Sequence, residues 1–391
     1  PVCFNRFSDS AGRLPKVFPC GHTTCEACVA QMAQVTECAM CPFCRVKALS
    51  SQVRTNFALC DAIDMMQQGD RTRGELLPYA QLAAACGHWN AAQVLGTGGA
   101  ATVYRAELPP FGPVAVKRFQ IGAGAAAGRG FQRELDALCQ HRHPHILEII
   151  GSSTEGPENL IVMPLMEGGT LTQALPRMLW TLRSAVLGQM VRALAFLHGK
   201  KVLHRDVKSS NILLDGSLRH ARLADFGLAR QQQGQGEKGT TGVIVGSLGY
   251  MAPELMMRPA SEKADAFALG VVFLEALTGL PAWGPDEEGE AEEGSVEDCL
   301  SLMDRVVTDG AFQKRRLEAA ACWPEEEAKV VADQAVALTL FDPGQRRGVA
   351  ALERDEGYIA HLERADTALQ ANTGLLCTER LRPTTIGKPH A

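Results

Sequence analysis

Apolar residues along the chain recur at the spacings that distinguish strands from helices. Short apolar runs at 114–116 and 160–163 predict buried strands. Phe131, Leu135 and Leu138 share one face of a predicted helix, because residues three or four positions apart lie on the same side of a helix. Strands and helices are therefore mixed along this part of the chain.

Elsewhere the chain has one long apolar stretch and several glycine-rich stretches. The apolar positions of 264–277 predict a longer helix. The stretch 122–130 holds four glycines and four alanines, and 231–242 is polar and rich in glycine, so both predict loops. The segment 94–103 is also rich in glycine and leads into the first apolar run. Taken alone, such a segment is more often a linker than a nucleotide site.

The polar residues of 204–211 supply the first candidate chemistry. Asp206, Lys208 and Asn211 lie close together, and Asp225 opens an Asp-Phe-Gly sequence fourteen positions after Asn211. In phosphoryl transfer an aspartate orients the attacking hydroxyl, a lysine lies beside the migrating phosphoryl group, and an asparagine and an aspartate hold Mg²⁺. An isolated Asp-Phe-Gly is usually only a turn, but this order and spacing predict a phosphoryl-transfer site.

These motifs, taken in order, resemble the protein kinase family. The resemblance implies an α+β fold with two lobes, ATP and Mg²⁺ as cofactors, and protein substrates. Lys117, at the end of the first apolar run, is expected to pair with Glu134 on the predicted helix. The catalytic residues it implies are Lys117, Glu134, Asp206, Lys208, Asn211 and Asp225. The residues expected around ATP are Leu95, Gly96, Gly98, Gly99, Val103, Ala115, Lys117, Met163, Pro164, Met166, Asn211 and Asp225.

Further landmarks extend the resemblance through the second half of the chain. Glu254 is expected to pair with a buried Arg346, and Asp265 lies in the predicted long helix. Lys208, two places after Asp206, favours serine and threonine as acceptors, and the motifs resemble the tyrosine-kinase-like and plant receptor-kinase branch. Ala101 replaces the third glycine of the loop, which we expect to place a methyl group near the phosphates.

Cysteine spacing gives a second, independent signal. Eight of the thirteen cysteines lie in the first sixty residues. A Cys-x-His-x2-Cys-x2-Cys run from Cys20 to Cys28 is followed by a Cys-Pro-Phe-Cys run from Cys41 to Cys44. Thiolates and an imidazole at these spacings predict Zn²⁺ sites rather than disulfides, because a phosphoryl-transfer enzyme belongs in a reducing compartment. Cys38 could compete with Cys41 as a ligand, although a small core residue is the favoured interpretation.

This module resembles a RING-type zinc finger. The implied zinc ligands are Cys3, Cys20, His22, Cys25, Cys28, Cys41 and Cys44. The family pattern has an eighth ligand, which we expect to precede residue 1. The resemblance also implies docking of a ubiquitin-charged conjugating enzyme through Val2, Pro42 and neighbouring apolar residues. Arg45 occupies the position where a guanidinium can bridge conjugating enzyme and ubiquitin, although it can equally be an ordinary surface arginine.

Composition and charge exclude several classes of protein. The chain of 391 residues is 46% hydrophobic and 21% charged, as expected for globular domains. No apolar run is long enough to span a membrane, and a net charge of −5 does not suggest a nucleic-acid partner. Residues 284–298 carry eight acidic side chains and no basic ones, which predicts a solvated insertion. We expect a cytoplasmic protein.

These patterns together predict four segments. They are a RING-type zinc finger at 1–60, a helical linker at 61–90, a kinase domain at 91–352 and a carboxy-terminal tail at 353–391. Helix-like spacing at 53–66 supports the linker. The order of zinc finger and kinase resembles the amino-terminal part of the plant Keep On Going ubiquitin ligases. Two functions follow: a kinase that is also a ubiquitin ligase, or a ligase whose kinase-like domain is only a substrate-binding scaffold.

Two remaining predictions concern loops. Thr240 and Thr241 lie in the polar stretch before Glu254, and a phosphate on either threonine could pair with Arg205. His141, His143 and His145 alternate around a proline, which favours a solvated turn over a metal site.

Overall fold

The structure is a computed structural model that describes most of the chain from residue 75 onward and several short stretches before it. The described residues are 15–18, 23–25, 28–30, 38–41, 45–49, 53–55, 75–99, 101–120, 125–231, 246–285, 299–308, 311–313, 317–318 and 321–371.

Short strands build the described part of the amino-terminal module. They are β1 (Pro15–Val17), β2 (Thr23–Cys25), β3 (Cys38–Met40), β4 (Lys47–Leu49) and β5 (Arg54–Thr55). Strand β1 lies between β2 and β5, and β3 pairs with β4 in a separate antiparallel hairpin. Arg54 and Thr55 are therefore in a strand, whereas the sequence pattern at 53–66 predicted a helix. Residues 56–66 lie outside the described part.

A six-stranded sheet forms the amino-terminal lobe of the second domain. Its strands are β6 (Glu75–Leu76), β7 (Val94–Thr97), β8 (Ala101–Leu108), β9 (Gly112–Phe119), β10 (Gly151–Ser153) and β11 (Leu160–Pro164). Their spatial order is β6-β10-β11-β9-β8-β7. Val114 and Val116 of β9 are fully buried, and the apolar stretch 160–162 of β11 is buried as well. Both apolar runs that predicted strands are strands.

The segment predicted as a helical linker is partly built into this sheet. Residues 61–74 lie outside the described part, but β6 pairs in parallel with β10 and helix α1 (Tyr79–Ala85) follows it. Leu77 and Leu82 are buried in the core cluster of the sheet. A helical pattern could not predict β6, because two residues of strand have no measurable period and the pairing partner lies about seventy residues away.

Helix α2 (Ala125–Gln140) packs against the other end of the sheet. It begins inside the stretch 122–130, so residues 125–130 are helical rather than the loop predicted from their glycine and alanine content. Phe131 and Leu138 are buried, and the Phe131 ring meets Phe119 edge-on at 5.3 Å between centroids. This contact fixes the face of α2 that carries Glu134.

The carboxy-terminal lobe is mainly helical. Its helices are α3 (Leu171–Ala174), α4 (Trp180–Gly199), α5 (Glu262–Thr278), α6 (Leu302–Val306), α7 (Glu325–Leu338), α8 (Val349–Glu353) and α9 (Glu356–Ala371). Its short strands are β12 (Gly169–Thr170), β13 (Val202–Leu203), β14 (Ile212–Leu214), β15 (Ala221–Leu223), β16 (Arg230–Gln231), β17 (Trp283–Pro285), β18 (Cys299–Ser301), β19 (Val307–Thr308) and β20 (Ala311–Phe312). No described helix is both long and apolar enough to cross a bilayer.

Helix α5 lies at the centre of this lobe. Nearly every residue from Ala264 to Thr278 is buried, so the helix is apolar on all sides, as expected of one that other elements surround. The Ser261 hydroxyl caps its first turn by accepting from the N–H of Lys263. Gly279 ends it with φ of 69°, a left-handed conformation that glycine adopts without strain.

The histidine-rich segment before the lobe differs from its prediction. His145 is only 5% exposed, and the guanidinium of Arg192 on α4 lies 3.3 Å from its Nε2 atom. The His143 ring stacks on Phe196, also on α4, at 5.0 Å. Residues 143–145 therefore pack between the lobes, and the predicted solvated turn is wrong for His145 because neighbouring aromatic and helical surfaces cover it.

Candidate active site

The sheet and helix α2 bring Lys117 and Glu134 together. Lys117 Nζ donates to Glu134 Oε1 at 2.8 Å and to Oε2 at 2.6 Å, and to Asp225 Oδ1 at 3.0 Å. Glu134 is only 1% exposed. Burial lowers the pKa of Lys117, but the Glu134 and Asp225 carboxylates outweigh burial and raise this pKa above its ordinary value. Lys117 is therefore a fixed cation at the junction of the two lobes.

A buried carboxylate on α5 fixes the backbone of the loop 204–211. Asp265 accepts the backbone N–H of His204 at 2.9 Å and that of Arg205 at 2.8 Å. His198 Nε2 lies 3.0 Å from the same carboxylate. Arg205 has φ of 70°, a conformation that is costly for a residue other than glycine and that Asp265 helps to hold.

Three side chains converge on Asp206. Lys208 Nζ donates to Asp206 Oδ2 at 2.7 Å, and the Ser247 hydroxyl donates to Oδ1 at 2.8 Å. Asn211 Nδ2 donates to the Asp206 backbone oxygen at 2.8 Å and to Oδ2 at 2.9 Å. Lys208 Nζ also lies 2.8 Å from the Ser247 hydroxyl. This network aligns a carboxylate and a cation where an acceptor hydroxyl can approach.

Asn211 and Asp225 have the donor atoms that Mg²⁺ prefers. The Asn211 amide nitrogen is bonded to Asp206, which leaves the carboxamide oxygen as the metal donor. Asp225 adds carboxylate oxygens, and its φ of 64° marks a constrained backbone at this point. Burial alone would raise the pKa of Asp225, but the neighbouring Lys117 lowers it below its ordinary value. The pair therefore fits a divalent cation.

Buried rings support the strained turn around Asp225. Phe226 is fully buried and meets the His204 ring edge-on at 4.7 Å. His204 Nε2 lies 3.1 Å from the carbonyl oxygen of Ala224, and the N–H of Ala224 donates to the carbonyl oxygen of Asn211 at 2.8 Å. The loop 204–211 and the Asp-Phe-Gly turn are thus one connected unit.

The expected ATP pocket is bounded by β7, β8, β9 and the end of β11. Met163 is 5% exposed and precedes Pro164, the last residue of β11. Pro164 lacks an N–H but keeps a carbonyl acceptor, and Met166 provides an N–H. Val103 and Ala115 lie on the paired strands β8 and β9. This arrangement fits the edge of an adenine ring.

The glycine-rich turn leaves open space at two of its glycines. A Cβ atom added at Gly96 or Gly99 would meet no atom within 4 Å, and one at Gly98 would lie 3.7 Å from the Ala101 carbonyl oxygen. The loop can therefore approach phosphates with its backbone. Ala101 is only 7% exposed and belongs to the core cluster that includes Phe119. Its methyl group is taken up by packing, which differs from the expectation of a methyl group near the phosphates.

The segment after the glycine-rich stretch is anchored to α5 and its surroundings. Arg346 is 1% exposed and forms two hydrogen bonds with Glu254, at 2.5 Å to Oε1 and 2.9 Å to Oε2. The guanidinium also lies over the Phe267 ring at 4.9 Å. The predicted pair is present, and it fixes residues 252–256 against the lobe.

Arg205 lies near two other cations, Arg230 and Arg133. Burial lowers the pKa of Arg205, and the guanidinium groups of Arg230 and Arg133 lower it further. Its Nε atom is buried without a hydrogen-bond partner. Thr240 and Thr241 lie outside the described residues. Arg133 lies on α2, Arg205 in the loop 204–211 and Arg230 on β16. Their proximity could not be predicted from sequence spacing.

Three of the predicted zinc ligands lie in the described part of the amino-terminal module. Cys25 ends β2, and Cys28 and Cys41 are 3% and 0% exposed. The N–H of Arg45 donates to the carbonyl oxygen of Cys41 at 2.9 Å, and the N–H of Cys41 donates to that of Val46 at 2.8 Å. Cys41 thus begins a hydrogen-bonded turn, and sulfur donors of this kind fit Zn²⁺.

The other predicted ligands are Cys3, Cys20, His22 and Cys44, and they lie outside the described residues. Within the described part, no three metal-binding side chains come together. Val2 and Pro42 also lie outside it, and Arg45 is exposed with φ of 62°.

Sequence reasoning missed one hydroxyl contact and one buried cluster. The hydroxyl contact is that of Ser247, which bonds both Asp206 and Lys208. Tyr250 and Ser209 both donate to Glu275 on α5, at 2.7 Å and 3.0 Å. A carboxylate inside the apolar pattern 264–277 was the available signal for Glu275, because buried carboxylates need partners.

Two family models match this chain. The model described as the protein kinase domain matches residues 89–351, and the model described as a zinc finger of C3HC4 type (RING finger) matches residues 1–44. The first match covers more than half of the chain.

Curated relatives come from plants. A leucine-rich repeat receptor protein kinase, MSL1, from Oryza sativa subsp. japonica is 35% identical over 75% of this chain and 22% of its own length. The proline-rich receptor-like protein kinase PERK15 from Arabidopsis thaliana is 32% identical over 64% of this chain and 51% of its own. The probable LRR receptor-like serine/threonine-protein kinase RKF3, also from Arabidopsis thaliana, is 30% identical over 76% and 52%. The matches thus span about a fifth to a half of these relatives.

Proposed function

The chain belongs to the protein kinase family, and we propose that it transfers the γ-phosphate of ATP to serine and threonine hydroxyls of proteins. Kinase domains use ATP with Mg²⁺, and the RING-type zinc finger at the amino end binds Zn²⁺. One observation carries the proposal: Lys117 bonds Glu134 and Asp225, Asp206 bonds Lys208 and Asn211, and the bond from the Ala224 N–H to the Asn211 carbonyl oxygen holds the two sets side by side. The similarity to RKF3, which is named as a probable serine/threonine-protein kinase, supports serine and threonine as acceptors.

Bound MgATP supplies the phosphoryl group and the metal charge that offsets its negative charge. Asp206 orients the acceptor hydroxyl and takes its proton, and Lys208 stabilises negative charge on the transferring group. Lys117, held by Glu134, would hold the α- and β-phosphates, and Asn211 and Asp225 would supply the metal ligands. Each of these side chains is already fixed by hydrogen bonds, so little reorganisation accompanies the reaction.

The test is phosphate transfer by the purified full chain with labelled ATP and Mg²⁺. Asp206→Asn should lower transfer by about a hundredfold or more, since it removes the proton acceptor. Asp304→Asn is the matched control, because Asp304 is an exposed carboxylate on α6 and should leave transfer unchanged. Equal background labelling of the wild type and Asp206→Asn would support the alternative, in which the kinase-like domain is only a substrate-binding scaffold.

We propose further that the RING-type finger makes the chain a ubiquitin ligase that acts with a ubiquitin-charged conjugating enzyme. Support comes from the match over residues 1–44 and from Arg45, which directly follows the last predicted ligand and is exposed. Its guanidinium can donate to both the conjugating enzyme and ubiquitin. We also propose a cytoplasmic location, because zinc thiolates and ATP are both maintained in that reducing compartment.

Discharge of ubiquitin from the conjugating enzyme tests this second activity. Arg45→Ala should slow discharge about five- to tenfold, which corresponds to roughly 1 kcal/mol, and leave zinc content unchanged. Lys47→Ala is the control, since Lys47 is an exposed cation on the adjacent strand β4. A wild-type chain that fails to stimulate discharge contradicts the ligase proposal and leaves the kinase proposal intact.

A further inference from the structure

A buried cluster of hydroxyls and one carboxylate lies directly behind the loop 204–211. Glu275 on α5 is 3% exposed. Its Oε1 atom accepts the Tyr250 hydroxyl at 2.7 Å and the Ser209 hydroxyl at 3.0 Å. The Thr172 and Ser209 hydroxyls lie 2.7 Å apart. The other carboxylate atom, Oε2, is buried with no partner among the described residues.

The two hydroxyls that bond Glu275 come from two different segments of the active site. Ser209 stands between Lys208 and Asn211, so it shares a short turn with the residues that position the phosphoryl group and the metal. Tyr250 is three residues after Ser247, whose hydroxyl bonds the proton acceptor. The Tyr250 and Ser209 hydroxyls also lie 3.0 Å from each other. Glu275 is thus the common acceptor for the catalytic loop and for residues 247–250, which we call the acceptor-docking segment because an acceptor hydroxyl has to approach Asp206 beside Ser247.

The surroundings of Glu275 hold hydroxyls and backbone groups. Burial raises the pKa of Glu275 to about 7, although the hydrogen bonds from Tyr250 and Ser209 and the nearby Ala282 N–H act in the opposite direction. Burial and the nearby Glu275 carboxylate also raise the pKa of Tyr250, so Tyr250 stays a donor at neutral pH. Thr172 on α3 does not titrate. Both forms of the Glu275 carboxyl are therefore populated near neutral pH.

Charged groups on the adjacent elements are engaged elsewhere. Arg183 on α4 approaches α5 but donates to the Ala276 carbonyl oxygen at 2.8 Å and pairs with Glu318 at 2.5 Å. In the catalytic loop, Lys208 is bonded to Asp206. No cation in the described part of the chain is recorded in contact with the Glu275 carboxylate.

We propose that Glu275 is a positioning residue that sets the register between the catalytic loop and the acceptor-docking segment through Ser209 and Tyr250. This inference rests on the proposed kinase function. A carboxylate accepts hydrogen bonds about twice as strongly as a neutral group, so the ionised form holds both hydroxyls firmly. Protonation weakens both bonds at once. Transfer to an acceptor peptide should therefore rise with pH through about 7, while ATP binding should not change.

The experiment compares wild type, Glu275→Gln and Glu262→Gln for transfer from MgATP to a serine-containing peptide between about pH 6 and pH 8.5. Glu262 lies on the same helix but pairs with Lys201 at the surface, so it controls for loss of a carboxylate. At pH 8, Glu275→Gln should lower kcat/KM for the peptide about tenfold, and at pH 6 the difference should fall to about twofold or less. The KM for ATP should stay the same in all three proteins.

A second variant keeps the inference testable if Glu275→Gln does not fold. Tyr250→Phe removes one hydrogen bond that stabilises the carboxylate, so the inflection of the pH profile should move to higher pH. An unchanged inflection in Tyr250→Phe would overturn the proposal, and so would a ratio of Glu275→Gln to wild type that is constant with pH. Failure of the kinase function itself gives a different result, since the wild type would then transfer no more phosphate than Asp206→Asn at any pH.

Discussion

The amino-terminal module and the carboxy-terminal lobe keep their shapes by different means. The buried cluster in the described part of the module contains Phe18, Val29, Ala39, Cys41 and Ala48. In the lobe, by contrast, α4 and α5 are buried over most of their length within one large apolar cluster. A module of this size buries too little apolar surface to fold on that basis alone, which is why a structural metal suits it.

A large core also permits buried charges, and the chemistry depends on them. Asp265, Glu134 and Arg346 are each 2% exposed or less, and each has partners that satisfy its charge. Charges buried in this way are fixed in position, which is what a preorganised site requires. The described residues of the small module include no comparable buried charge, and we propose that the role of the module is to hold a docking surface in shape.

Loss of one thiolate should therefore have the largest effect. Cys41→Ala removes a predicted zinc ligand that lies in the buried cluster, and structural zinc contributes roughly 10 kcal/mol or more to the folding of such modules. We expect one zinc ion fewer per full chain, rapid proteolysis of the amino-terminal module and unchanged peptide phosphorylation. Metal analysis and limited proteolysis measure these outcomes.

Cys38→Ala is the control for Cys41→Ala and also decides between the two cysteines as ligand. It should retain the full zinc content. Loss of zinc from Cys38→Ala, with full zinc in Cys41→Ala, would reverse the assignment. Unfolding of both lobes on loss of zinc would contradict the distinction between the two regions.

The second effect should come from a buried charge in the lobe. Asp265→Asn places an amide beside the N–H groups of His204 and Arg205, so one strong acceptor is lost and a donor can face a donor. Breaking a buried charge network of this kind costs about 3–5 kcal/mol. Urea unfolding should show that loss. Glu262→Gln, at an exposed position of the same helix, should change stability by less than about 0.5 kcal/mol.

The variant Glu275→Gln tests whether the carboxy-terminal lobe also contains a buried charge that lowers its stability. Burial raises the pKa of Glu275 from 4.5 to about 7, so the folded chain keeps a proton that the unfolded chain releases between these values. The contribution of this bound proton to the free energy of unfolding is therefore fully present below about pH 4.5 and is lost as pH rises through about 7. Glu275→Gln should be more stable than wild type, and its advantage should grow by about 2 kcal/mol between pH 5.5 and pH 8.

Urea unfolding of both proteins at several pH values measures this difference. Tyr358→Phe is a suitable control, because Tyr358 is buried in the same lobe and stays protonated across the range. Its difference from wild type should be constant with pH. A Glu275→Gln advantage that does not change with pH would show that the carboxyl does not titrate in this window.

Prediction from the sequence agrees best with the structure where functional residues lie on strands or helices that have a clear apolar pattern. Lys117 follows the apolar run of β9, and Glu134 lies on the helix that Phe131 anchors. The contact between Lys117 and Glu134 could therefore be expected from two local patterns and a family resemblance. Strand β6 could not be expected, since its two residues are paired only through tertiary contact with β10. The same holds for the contacts of Ser247 with Asp206 and of Tyr250 with Glu275, which are 41 and 25 residues apart.

A reversible charge is a third means of holding a chain segment in place, and the segment that follows β16 in sequence carries the predicted acceptor threonines. Its near end is bordered by Arg205, Arg230 and Arg133, whose mutual repulsion and burial lower the pKa of Arg205. The Nε atom of Arg205 is buried without a hydrogen-bond partner. The Asp265 carboxylate acts on the pKa of Arg205 in the opposite direction, but among the described residues no carboxylate forms an ion pair with these three guanidinium groups. A phosphate would relieve their repulsion and satisfy that donor.

Thr240 and Thr241 are the proposed sites of that phosphate, and their loss should give the smallest of these effects. Replacing both with alanine should leave the KM for ATP nearly unchanged but lower peptide phosphorylation about tenfold, which corresponds to about 1.4 kcal/mol in the barrier. Thr367→Ala, at an exposed threonine of α9, should have no effect. Arg230→Gln should reduce the activation gained by preincubation with ATP, because one of the phosphate's cations is lost. Mass spectrometry decides the matter: a fully active wild type without phosphate between Leu228 and Tyr250 would rule this mechanism out.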